Sequence, residues 1–151
     1  AGEQEEALRS LVGSHQPRLR DDGLVDLLDD LARFRSPHVK VSSPAGPVLV
    51  PGVVADELTA AVGAALHNVR EHVGPEARAW VLVEETDAEV LVTVRDDGPG
   101  IPPGRLESAA ADGRLGVAQS IRGRLRDLGG SARVTSAPGE GTEVELRVPR
   151  R

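Results

Sequence analysis

From Val53 to Val73 the apolar residues Val54, Leu58, Val62, Ala65, Leu66, Val69 and Val73 recur at offsets of three and four. That spacing predicts a long amphipathic helix with one buried stripe, ended by Gly74-Pro75. Leu24, Leu27, Leu28, Leu31 and Phe34 repeat the period in "LVDLLDDLARF" and predict a shorter helix upstream. Between the two, "HVKVSSPAGPVLVP" alternates as a strand does before Pro and Gly turn it. "AWVLVEET" and "VLVTVRD" alternate on either side of the polar turn "TDAE", the pattern of an antiparallel hairpin. "RLESAAADG" has room for a turn or two of helix, and "VAQSIRGRLRDLGG" is a helical pattern stopped by glycines. "SARVTSAP" and "TEVELRVP", joined through "GEG", make a last pair of strands. The order helix, strand, helix, hairpin, helix, hairpin predicts an α/β (α+β) two-layer sandwich: a mixed, mostly antiparallel sheet covered on one face by helices.

A chain of 151 residues fits one domain with a core of its own. Residues 1 to 12, "AGEQEEALRSLV", are acidic and then apolar, like the end of a longer helix, and "GSHQPRLRDDG" is a breaker-rich connector. The organisation expected is therefore a helix remnant and connector over 1–20 and the principal domain over 21–151. With no Cys, disulfides, thiolate nucleophiles and Cys-based zinc sites are excluded. One Phe, one Trp and no Tyr or Met leave the core to Leu, Val, Ala and Ile. Lys40 is the single lysine and stands in "HVKVSS", so the phosphate-binding G-x-x-x-x-G-K-[ST] loop is absent. A net charge of -6 and the scarcity of aromatics argue against a nucleic-acid partner. No apolar run reaches the ~20 residues of a membrane span, and no signal-peptide pattern opens the sequence.

Four stretches carry chemistry. In "RDDGPGI", Asp96 and Asp97 follow a strand, and Gly98 and Gly100 permit a close approach that a Cβ would forbid. A carboxylate there can accept a hydrogen bond from an exocyclic amine such as that of adenine. Asn68, inside the long helix, is a mediocre helix former whose carbonyl oxygen is a hard ligand suited to Mg²⁺. His72, four residues on, shares its face, whereas His67 does not, so the two histidines do not form a zinc pair. In "DGRLGVAQSIRGRLRDLGG", Gly113 and Gly116 precede a helix whose N-terminal amides suit an anion, and Arg114, Arg122, Arg124 and Arg126 add positive charge. In "SAPGEGTEVEL", Thr142 follows a Gly-rich turn. Taken singly, each has an ordinary alternative: a turn with two solvated aspartates, an Asn flanking the buried stripe, a solvated Arg-rich helix face, and a plain hairpin turn.

All four occur in one order within about 80 residues, and in that conjunction the sequence resembles the GHKL or Bergerat-type ATPases, specifically the catalytic, ATP-binding domain of a sensor histidine kinase. The Asn68 helix resembles the N box, "DDGPGI" the G1 box, "GRLGV" with its helix the G2 box, and "GEGTEVEL" the strand turn that closes the domain. The likeness covers roughly residues 38 to 151. Through "NVREH", the short G1 to G2 interval and "GRLGVAQSIRGRL", it is nearest to kinases that partner NarL-type response regulators, and among these to MacS-like kinases.

The resemblance implies the Bergerat ATP-binding fold and ATP and Mg²⁺ as cofactors. It implies that Asp96 contacts the adenine amino group, that Gly98, Gly100 and Ile101 shape the pocket, and that Asn68 holds Mg²⁺, with His72 beside it. Gly113, Leu115, Gly116 and Val117 would line the lid and phosphate end, and Thr142 would sit near the adenine. The partners implied are a phosphotransfer domain of the same kinase, bearing the acceptor His, and a downstream response regulator. Residues 1–20 would then be the tail of a phosphotransfer helix and its connector. The isolated domain is expected to be a monomer, the whole kinase a homodimer, and the location cytoplasmic because ATP is needed. Two positions depart from the family pattern: Ala64 stands where an acidic or amide residue is frequent, and Glu71 where Lys is usual. Glu57 lies on the Asn68 face, but eleven residues of helix, about 16 Å, separate them. A serine kinase of the anti-sigma-factor type and a nucleotide-binding module without catalysis are the alternatives within the same fold.

Overall fold

The computed structural model describes residues 23–99, 119–137 and 139–150. In chain order these form β1 (Leu24–Asp26), α1 (Leu27–Leu31) extended by a 3-10 turn (Ala32–Phe34), β2 (Val39–Ser42), β3 (Leu49–Pro51) and α2 (Gly52–His72). They continue with β4 (Ala79–Glu85), β5 (Glu89–Asp96), a helix α3 over 119–126, β6 (Ser131–Ala137) and β7 (Gly141–Pro149).

Strand alternation fixes which side chains meet the helices. Val81 and Val83 of β4, Val90, Val92 and Val94 of β5 and Leu146 and Val148 of β7 are buried, while Trp80 and Leu82 on the opposite face are 38% and 41% exposed. Helices therefore cover one face of the sheet. Strand order is β2-β4-β5-β7-β6, with β2 parallel to β4 and every other pair antiparallel. This is the mixed, mostly antiparallel sandwich expected from the sequence. The predicted stripe of α2 is buried at Val54, Leu58, Val62, Ala65, Leu66 and Val69, and Ile121 and Leu125 of α3 join the same core. α2 ends where predicted: Gly74, at φ +139°, donates its N–H to the Val69 carbonyl at 3.2 Å and stops the helical ladder.

Two local expectations are corrected. Leu24, placed by its spacing in the first helix, lies instead in β1, which pairs antiparallel with β3 as a separate two-stranded ribbon. The helix starts after Asp26, whose carboxylate accepts from the Leu28 N–H, as an N-cap does, and from the Val48 N–H, each at 3.0 Å. The second bond ties the ribbon to the cap, and this tertiary pairing overrides the helical period. The stretch "HVKVSSPAGPVLVP" is likewise two strands, β2 and β3, which serve different sheets.

Thr59 is buried on α2 at 8% exposure, and its hydroxyl has no hydrogen-bond partner among the described residues. An unpaired buried hydroxyl carries a desolvation cost that an isosteric methyl does not. Thr59→Val is accordingly expected to raise stability by about 1 kcal/mol, or about 2–4 °C in Tm by calorimetry for a domain of this size.

Candidate nucleotide site

β5 ends by turning two adjacent carboxylates in opposite directions. Asp97, the outward one, extends the β4 and β5 pairing: its N–H donates to the Arg78 carbonyl at 3.2 Å and its Oδ1 accepts from the Arg78 N–H at 3.0 Å. Asp96, the inward one, is only 5% exposed. Its Oδ1 accepts from the N–H of Gly98 at 2.8 Å and of Thr142 at 3.3 Å. Two backbone donors on one oxygen fix the carboxylate plane, and no hydrogen bond to Oδ2 is found among the described residues. Asp96 is thus a buried, oriented acceptor with one oxygen to offer.

Glycines make this arrangement possible at two points. A Cβ on Gly98 would lie 2.6 Å from Cγ2 of Val73 and 2.9 Å from Asp96 Oδ1, so the loop after β5 packs directly on the end of α2. Gly141, at φ +80°, is stacked on Asp96 so closely that a Cβ there would overlap the Asp96 carbonyl oxygen. The turn before β7 is tied to the same loop by the Gly139 N–H, which donates to the Pro99 carbonyl at 2.7 Å. The Thr142 hydroxyl lies 3.2 Å from that of Ser136 on β6, and Ser136 also donates to the Gly141 carbonyl at 3.4 Å.

Contact between Val73 and Gly98 brings the C-terminal end of α2, with Asn68 and His72, beside the Asp96 loop. Asn68 Oδ1 is buried and has no hydrogen-bond partner among the described residues. His72, the last residue of α2, is half-buried, whereas His67 is exposed with its Nε2 3.5 Å from Glu71. The structure thus groups Asp96, Gly98 and Thr142 in one bonded cluster and carries Asn68 and His72 to its side. Gly100, Ile101, Gly113, Leu115, Gly116 and Val117 lie outside the described residues, as does the short helix expected over 105–113. Two of the arginines considered as phosphate partners have protein partners: Arg122 Nε donates to the Ala132 carbonyl and Arg124 Nη1 to Glu57 Oε2, both at 3.2 Å.

Sequence reasoning named Val73 only as part of the apolar stripe and did not name Ser136 or Gly141. Gly141, immediately before Thr142 in "GEGT", carried a legible signal, since a tight turn favours φ > 0. The packing of Val73 on Gly98 and the bonds of Ser136 carried none. A cavity of about 690 Å³ also opens on the solvent face of the sheet beside Trp80, Leu82 and Arg95, reaching Asp96 and Asp97 at one end. Asn68 does not line it, and the oxygens of Asn68 and Asp96 that have no partner among the described residues, rather than cavity size, locate the candidate site.

A nearly central, buried aspartate at a strand end, two glycines forced by close packing and an Asn-bearing helix alongside define a class that comparison identifies. Residues 53–151 match the model of the histidine kinase-, DNA gyrase B- and HSP90-like ATPases, and the chain belongs to this family. It is 27% identical over 154 residues to the sensor histidine kinase LiaS of Bacillus subtilis, covering 99% of this chain and 41% of LiaS. It is 32% identical over 142 residues to the nitrate/nitrite sensor protein NarX of Escherichia coli, covering 91% of this chain and 23% of NarX. The chain thus spans well under half of these curated relatives. Among solved structures, the ATP binding domain of PrrB from Mycobacterium tuberculosis superimposes with a TM-score of 0.60 at 26% identity, covering 85% of this chain and 96% of that one. Fold, family and relatives together assign the chain to the catalytic, ATP-binding domains of sensor histidine kinases.

Proposed function

We propose that this domain binds Mg-ATP and, in the whole protein, donates the γ-phosphoryl group to a histidine on a separate dimerisation and phosphotransfer domain. The observation that carries the reading is the Asp96 carboxylate, buried and oriented by the Gly98 and Thr142 amides with one oxygen left to accept from the adenine amino group. Gly98, Gly100 and Ile101 would shape the pocket for the base, with Thr142 near the adenine. Asn68 Oδ1, a buried hard oxygen without a partner among the described residues, fits a divalent ion, and Asn68 would hold Mg²⁺ with His72 beside it. Bound there, Mg²⁺ would neutralise charge on the phosphates. Gly113, Leu115, Gly116 and Val117 would line the phosphate end. The domain's part in phosphoryl transfer is positioning and charge stabilisation rather than covalent catalysis.

Residues 1–20 are, in this reading, the tail of a phosphotransfer helix and its connector, and 21–151 the ATP-binding domain. The isolated domain would be a monomer and the whole kinase a homodimer acting in the cytoplasm. Among the described residues, no helix is long and apolar enough to cross a membrane. The downstream partner would be a NarL-type response regulator and the parent a MacS-like kinase, a reading supported by "NVREH" and "GRLGVAQSIRGRL". Ala64 and Glu71 favour a second reading, nucleotide binding without transfer.

Asn68→Ala tests the metal role. It is expected to abolish the strengthening of ATP binding by Mg²⁺ while leaving Mg-free binding within about twofold, as titration calorimetry would show; an unchanged Mg²⁺ effect would remove Asn68 from the site. Supplying the phosphotransfer domain in trans with labelled ATP separates the functions. Acid-labile phosphohistidine supports the kinase, acid-stable phosphate on a partner supports the serine-kinase alternative, and binding without transfer supports the second reading.

A further inference from the structure

α3 is held from three sides. Ile121 and Leu125, 1% and 0% exposed, seat it in the core, Arg122 Nε bonds the Ala132 carbonyl on β6, and Arg124 Nη1 reaches Glu57 Oε2 at 3.2 Å on α2. Apolar burial is non-directional, so burying Ile121 and Leu125 sets the rotation of α3 only approximately. Directional bonds to two different neighbours remove that freedom. The Arg124 to Glu57 bond joins α3 to α2 through their side chains, and α2 is the helix that carries Asn68. Glu57 is too far along α2 to act beside Asn68 itself, and its partner explains its placement.

We propose that Arg124 and Glu57 form a positioning pair for the nucleotide site, fixing the rotation of α3 against the Asn68 helix; the proposal rests on the ATP-binding reading above. Arg124 and Glu57 side chains are 45% and 32% exposed, so the pair contributes little to global stability. Its effect falls on alignment. Charge makes the pair reversible by design: exchanging the two residues restores attraction with the polarity inverted.

The test is a cycle of Arg124→Glu, Glu57→Arg and the double exchange, with Arg124→Gln as a milder variant. ATP affinity by calorimetry is expected to fall about three- to tenfold in each single reversal and to return to within about twofold in the double exchange, with Tm moving by less than about 2 °C. Hydrogen exchange of the 120–125 amides, measured without nucleotide, is expected to quicken in the single variants and recover in the double. Single reversals that bind ATP and exchange like the unaltered chain, or a double exchange that rescues neither, would overturn the proposal. Should the unaltered chain fail to bind ATP, the ATP-binding reading fails, and the exchange data alone still decide whether the pair positions α3.

Discussion

Asp96→Asn is expected to weaken ATP binding at least about 100-fold while leaving the fold intact. The amide keeps a carbonyl oxygen in the place of Oδ1, so the Gly98 and Thr142 N–H groups retain their acceptor. An NH₂ group then replaces Oδ2 and presents a donor to the adenine amino group, itself a donor. Hydrogen bonds to charged groups contribute about 1.5–3 kcal/mol, and the mismatch adds an unpaired polar group, so a loss of about 2.7 kcal/mol, or 100-fold, is the lower expectation. Tm should stay within a few degrees in calorimetry. Asp96→Ala, by contrast, removes both functions and is expected to lose binding together with some stability, because two backbone donors are orphaned.

Gly141→Ala is expected to be the most damaging small substitution at the site. Its φ of +80° is strained for any Cβ-bearing residue, and the added atom would overlap the Asp96 carbonyl oxygen while lying 3.2 Å from Asp96 Oδ1. Strain at such a dihedral costs of order 1 kcal/mol or more and overpacking about 1–3 kcal/mol, giving about 3 kcal/mol in all. For a domain of this size that is a fall in Tm of about 6–12 °C. Gly139→Ala is the matched control. Gly139 has a similar φ of +77° but nothing within 4 Å of the added Cβ, so only the strain should remain, about 1 kcal/mol. Equal losses in the two variants would mean that the stacking on Asp96 contributes nothing.

Legibility of the fold followed the length and regularity of each pattern. The stripe of α2 runs over 21 residues, and β4 and β5 alternate strictly, so period alone places them. β1 and β3 are three residues each, too short to establish a period, and are held by pairing with one another across intervening chain. In Leu24 to Leu28 the strand and the helix share leucines that satisfy both spacings, and only the Asp26 cap, itself bonded to Val48, divides them. At the candidate site, Asp96, Gly98, Asn68 and Thr142 stood out through the order of their stretches along the chain and not through any one residue type. The resemblance assigned the adenine contact to Asp96 rather than Asp97, and strand parity agrees, since Asp96 falls on the buried face with Val92 and Val94 while Asp97 is turned outward. The arginines illustrate the reverse case: their charge invites a phosphate role, but Arg122 and Arg124 are occupied by contacts that sequence spacing does not encode.

Titration of the intact chain with ATP, with and without Mg²⁺, tests the central claim most directly. Saturable one-to-one binding that Mg²⁺ strengthens is the predicted result, since Asp96 supplies the base contact and Asn68 the metal contact. Absence of binding at millimolar ATP, or binding indifferent to Mg²⁺ and shared equally by nucleotides without an adenine amino group, would contradict it.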